Sequence, residues 1–165
     1  MSENKSINNR PLAFLLSPVV LLRLSSILLV LLMVGHMSAY PWSTHGLQET
    51  QLVDSMKSLQ FVFMGEHSSY WSLYFGWGLW MGVSLLTLAI ILWFLPDLAR
   101  LAPRPVGVIT GVISASCLIG AYLSLRFFYM PPFLFYLVIC VCLLTVAVQL
   151  LRQQTMFADG KTEKL

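Results

Sequence analysis

Four long apolar runs dominate this chain and limit what it can become. They lie at about 23–40, 71–95, 106–125 and 132–151. A helix needs about 20 predominantly apolar residues to cross the hydrocarbon of a bilayer, and each run supplies close to that number. The runs are continuous rather than alternating, which excludes the strands of a membrane β-barrel. The expected fold is therefore an all-α membrane protein, a bundle of four transmembrane helices forming one membrane domain over 1–165. Pro96 is expected to stop the second helix and Pro105 to sit in the first turn of the third.

Composition agrees with lipid as the solvent. Of the 165 residues 58% are hydrophobic and 10% charged, against about 25% charged in a soluble domain. The formal charge of +3 comes from basic residues scattered singly, without the stripe that nucleic-acid binding requires. Cys117, Cys140 and Cys142 all lie in apolar runs and form no Cys-x-x-Cys pair. They offer neither a disulfide framework nor a zinc site, and fit packing. The N-terminal apolar stretch begins at Pro11, is interrupted by Arg23 and continues through Val34. It is too long for a cleaved signal and no small-x-small site follows, so it is expected to stay as an anchor.

Basic residues set the expected orientation. Lys5, Arg10, Arg23, Arg100, Arg104, Arg152, Lys161 and Lys164 flank one side of the spans, and only Lys57 and Arg126 the other. The positive-inside rule then places both termini in the cytoplasm and the long connection between the first two spans outside. In that connection Leu52, Met56, Leu59 and Phe63 follow a helical period, predicting an external amphipathic helix over about 50–64 that lies on the membrane surface or caps the bundle. Tyr40, Trp42, Tyr70, Trp71 and Tyr74 fall near the same boundary, where aromatic rings collect. The tails, 1–10 and 153–165, are expected to be disordered. Gly78 and Gly82, and Gly107 and Gly111 extended by Ser114, have the small-x-x-x-small spacing that lets helix backbones approach. It serves contact within a bundle or dimerisation.

The candidate functional residues gather near the predicted outer boundary. His36 ends the first span beside Gly35, Glu66 and His67 open the segment leading into the second, and Arg126 ends the third. Ionisable groups in a membrane are costly and point to function. At its edge they also serve as anchors reaching toward headgroups. Tyr70, Tyr74 and Trp77 share a helix face, with Gly76 and Gly78 beside them. Hydroxyls and rings next to a glycine notch suit a lipid tail or a quinone-like molecule, and equally an aromatic belt with a helix contact. A metal site from His36, His45, Glu66 and His67 is conceivable, but no metal-binding spacing is present. No nucleophile motif or phosphate loop occurs, so no catalytic residue, metal or cofactor is expected.

The Gly35-His36 pair, the 65–69 segment and the run Tyr70-Trp71-x-x-Tyr74-x-Gly76-x-Gly78-Leu79 resemble a group of small four-span bacterial membrane proteins without an assigned function. The resemblance implies the four-span topology and a bacterial inner membrane. That group carries an acidic residue just before the tyrosine matching Tyr74. This chain has Ser72 and Leu73 there, which argues against a catalytic carboxylate.

The functional expectation is binding of an apolar ligand, lipid or quinone-like, or of a membrane partner or second copy, near the outer face. His36, Glu66, His67, Tyr70, Tyr74, Gly76, Gly78 and Arg126 are the candidate residues. The alternatives are a redox or other enzyme subunit using His36 and a small oligomeric transporter.

Overall fold

The computed structural model describes residues 16–39 and 44–162, with side chains for 16–38 and 44–153. The expected N-terminal tail and the rings of Tyr40 and Trp42 lie outside the described residues. Helix α1 spans Pro18–Ala39, α2 Leu47–Ser58, α3 Tyr70–Leu101, α4 Pro103–Phe127 and α5 Met130–Thr162. Between α2 and α3 stands a hairpin, strands β1 (Gln60–Phe63) and β2 (Glu66–Ser69). Helices α1, α3, α4 and α5 are long and apolar enough to cross a membrane, so this is a multi-pass α-helical membrane protein.

Three expectations need correction. Pro96 does not stop the second span; it sits inside α3, which continues to Leu101. Proline removes only its own N–H, and membrane helices tolerate it because neighbouring groups re-satisfy the freed carbonyl. The fifth helix does not end near 151 but runs on through Thr162, into the tail expected to be disordered. The connecting helix is α2, which ends at Ser58, and the stretch expected to carry it to 64 is strand and turn. Phe61, Val62 and Phe63 are aromatic or β-branched residues that favour a pleated strand. Met64 and Gly65, both at positive φ (52° and 91°), make the two-residue turn.

The chain forms two compact units, one of residues 1–29 with 88–165 and the other of residues 30–87. In the first unit, α4 buries Val106, Gly107, Thr110, Ser114, Cys117, Ala121 and Ser124. From Thr110 onward these residues are spaced 4, 3, 4 and 3 apart, the repeat of a left-handed helix pair. They are small, and α5 meets this side of α4 with Tyr136, Cys140, Ala147, Leu150 and Leu151. The fit is close: a Cβ on Gly107 would lie 3.1 Å from Leu151 Cγ, and one on Gly120 3.2 Å from the Tyr136 ring. Lipid tails are as apolar as leucine, so such close packing rather than a hydrophobic drive holds membrane helices together.

Hydroxyls do two different jobs. Ser25, Ser84, Thr87, Thr110, Ser116 and Thr145 each donate to the carbonyl one turn back in their own helix. Ser26 Oγ instead donates to Ala89 O at 2.6 Å, joining α1 to α3, and Ser114 Oγ to Cys140 O at 2.9 Å, joining α4 to α5. The guanidinium of Arg23 rests 5.3 Å from the centre of the Trp93 ring, a cation–π contact. Arg23 thus lies at the side of an indole, more than one turn inside α1.

Candidate functional site

Seven of the eight candidate residues belong to the 30–87 unit; Arg126 belongs to the other. Helix α3 carries four of the seven, Tyr70, Tyr74, Gly76 and Gly78, and its faces do different work. One side carries Gly78, Gly82 and Leu85, all buried. A neighbouring face carries Tyr70, Trp77 and Trp80, all exposed, the two indoles by 72% and 69%. Tyr74, also exposed, stands one turn before Gly78 and lies at the boundary between the two sets.

On the buried side the glycines receive α1. The Nε2–H of His36 donates to Gly78 O at 2.9 Å. One turn on, a Cβ at Gly82 would sit 2.7 Å from Met37 Sδ. The Gly78-x-x-x-Gly82 spacing thus works as the contact surface within the unit, and His36 is a polar link across it. A ring nitrogen bonded in a low-dielectric setting satisfies a donor that lipid could not. Replacing His36 with alanine is expected to lower stability by about 1 kcal/mol, the order found for hydrogen bonds between membrane helices. Unfolding of the variant in mixed detergent micelles measures this, and an unchanged midpoint would remove the link from the account.

On the exposed side Gly76, which has no side chain to fill the surface, precedes the two rings Trp77 and Trp80. Gly76, Trp77 and Trp80 line an open groove of about 270 Å³. Gly76 and Trp80 are one turn apart, so the absent side chain leaves a step directly beneath the Trp80 indole. Gly76 and Gly78 therefore separate: Gly76 belongs to the groove and Gly78 to the α1 contact.

At the start of α3 the rings form a second group. Trp71 stacks on Phe75 at 5.9 Å and tilts against Tyr74 at 6.1 Å. The Lys57 ammonium lies 5.3 Å from the Trp71 ring. Tyr70 meets Phe61 of β1 at 5.0 Å, and its N–H donates to Leu59 O. Ser69 Oγ accepts from the Ser72 N–H at 3.1 Å and so caps the first turn of α3. That cap explains why β2 passes into the helix without a loop.

Glu66 and His67 are exposed on β2, where they pair in register with Phe63 and Val62. The His45 N–H donates to the Glu49 carboxylate at the start of α2. Among the described residues no three His, Cys, Asp or Glu side chains come together as metal ligands. Arg126, near the end of α4, holds its guanidinium 5.8 Å from the Phe127 ring. The feature that sequence reasoning missed is Trp80. It lies one turn beyond Gly76 on the Trp77 side, and the i, i+4 spacing from a glycine was its only signal. Comparison with known proteins finds no matching family model, curated protein or solved structure.

Proposed function

We propose that this protein binds an amphiphilic molecule with a flat or chain-like apolar part, a lipid or a quinone-like compound, in the groove of Gly76, Trp77 and Trp80. The observation that carries the reading is that groove: two exposed indoles stand beside a position without a side chain. Ligand sites are concave and mainly apolar with a few polar groups placed for orientation. Tyr74, 48% exposed, lies three residues before Trp77 on the same helix. Indole offers a broad apolar face and an N–H donor, suited to a molecule with a wet head and a dry body.

The excess of basic residues on one side of the spans supports an orientation with both termini in the cytoplasm and the 44–69 connection outside. In that orientation the groove lies toward the outer leaflet, and the resemblance to small four-span bacterial proteins supports a bacterial inner membrane. A cysteine introduced at Ser58 is expected to react with a membrane-impermeant maleimide in intact cells, whereas a C-terminal tag stays inaccessible until lysis. The reverse labelling pattern would invert the topology.

Native mass spectrometry of protein released from mild detergent tests the binding reading. A discrete added mass is expected, and fragmentation of the released molecule separates a phospholipid from a quinone. A bare monomer mass would overturn the reading. A bare dimer would move the function to self-association.

A further inference from the structure

The hairpin between α2 and α3 has a composition that water does not explain. Leu59, Val62, Phe63 and Met64 are 58%, 62%, 60% and 91% exposed, four large apolar residues within six positions. Contiguous exposed apolar surface marks an interaction site. The turn strengthens the point. Met64 and Gly65 take φ values of 52° and 91°, the pair of left-handed residues of a type I′ turn, for which Asn-Gly or Gly-Gly is the preferred chemistry. Few residues other than glycine and asparagine adopt such a backbone. Methionine at 64 therefore forgoes turn stability and places a flexible thioether chain at the tip of the hairpin.

Three observations identify what meets this tip. Side chains alternate along a strand, so Phe61 and Phe63 share one face of the hairpin. Phe61 lies 5.0 Å from the Tyr70 ring, and Tyr70 begins the exposed stripe that continues through Tyr74 and Trp77 on a membrane-spanning helix. The face of the hairpin that carries Phe61 and Phe63, with their partners Ser68 and Glu66, is thus continuous with the exposed surface of α3. Next, β2 ends at Ser69 and α3 starts at Tyr70, which anchors the hairpin where the chain enters the bilayer. Finally, the Lys57 ammonium beside Trp71 puts a positive charge at the hairpin's base, complementary to lipid phosphate. Four residues of strand reach about 13 Å, more than the headgroup layer, which is roughly 5–8 Å per leaflet.

We propose that the Phe63-Met64 tip is a wedge that lodges in the boundary between headgroups and acyl chains of the leaflet where α3 begins. Its occupant is bulk phospholipid, independent of any ligand in the Trp77 groove. Glu66, opposite Phe63, keeps a carboxylate at the edge of the tip and limits insertion to that shallow depth.

The test uses the full chain with Met64→Cys labelled by a polarity-sensitive fluorophore in vesicles of phosphatidylcholine and phosphatidylglycerol. The exposed Asp54→Cys of α2 serves as the reference site, and the three natural cysteines are buried. The label at 64 is expected to emit at shorter wavelength than the label at 54. It is expected to be quenched several-fold more by lipids spin-labelled high on the acyl chain, and less by iodide. A label at 64 as open to iodide as the one at 54 would overturn the proposal. So would a label shielded from iodide yet unaffected by spin-labelled lipid, because protein and not lipid would then cover the tip.

Discussion

Replacing Gly107 with leucine should cost the protein about 1–3 kcal/mol, the usual penalty for forcing bulk into a packed interface. Position 107 is buried in α4, and a Cβ there would lie 3.1 Å from Leu151 Cγ and 3.3 Å from Leu150 Cβ. The obstruction is not the tip of one flexible chain. Leu150 Cβ is attached directly to the α5 backbone, so relief requires the helices to separate. The remaining small residues of the stripe, Thr110 to Ser124, would lose contact with α5 as they parted. Gly35→Ala provides the comparison. Gly35 is exposed with nothing within 4 Å of an added Cβ, and alanine is the better helix former by about 0.5–1 kcal/mol. Unfolding midpoints in mixed micelles should therefore move in opposite directions. Equal losses at both positions would mean that close α4–α5 packing is not what holds the first unit together.

The double variant Trp77→Ala with Trp80→Ala should weaken binding of the groove's ligand about 100-fold. Burying a large apolar side chain is worth about 1.5–3 kcal/mol. Two indoles contributing near the lower figure give about 3 kcal/mol, and each 1.4 kcal/mol is a factor of ten. Both rings are exposed, so truncation removes little internal packing and the fold should persist. Retention of the ligand through purification, read by mass spectrometry, measures the effect. Wild-type levels of ligand on a folded double variant would place the site elsewhere.

The four spans were legible because membrane crossing sets a length and a composition, and both survive in a single sequence. The hairpin was not, because two periods overlap in its residues. Leu52, Met56, Leu59 and Phe63 fit a helix, yet Phe61, Val62 and Phe63 also fit a strand. What decides between them is the turn at Met64-Gly65, and methionine gives no turn signal. Pro96 was misread for a related reason. Proline is a strong stop in water, where the freed carbonyl and the kink favour a helix end. In a membrane helix the cost of leaving other backbone groups without partners favours continuation.

In the candidate site the sequence identified the rings and the glycines but not their division of labour. Gly76 and Gly78 are two residues apart and look equivalent in a motif. Two residues turn a helix by about 200°, so they face nearly opposite ways: Gly78 is buried against α1 and Gly76 lies open beside Trp77. Which side faced the neighbouring helix could be learned only from the position of α1. His36 shows the same limit. Its place near the end of the first span was readable, but its acceptor, Gly78 O, lies 42 residues away.

The two uses of hydroxyls bear on how this chain reaches its membrane. Ser84, Thr87, Ser116 and Thr145 satisfy themselves on their own helices, so they carry little polar demand when a helix enters lipid alone during biosynthesis. Ser26 and Ser114 are different, because their acceptors, Ala89 O and Cys140 O, arrive only with another helix. Those two bonds therefore belong to the packing of helices against one another and not to the insertion of any single helix.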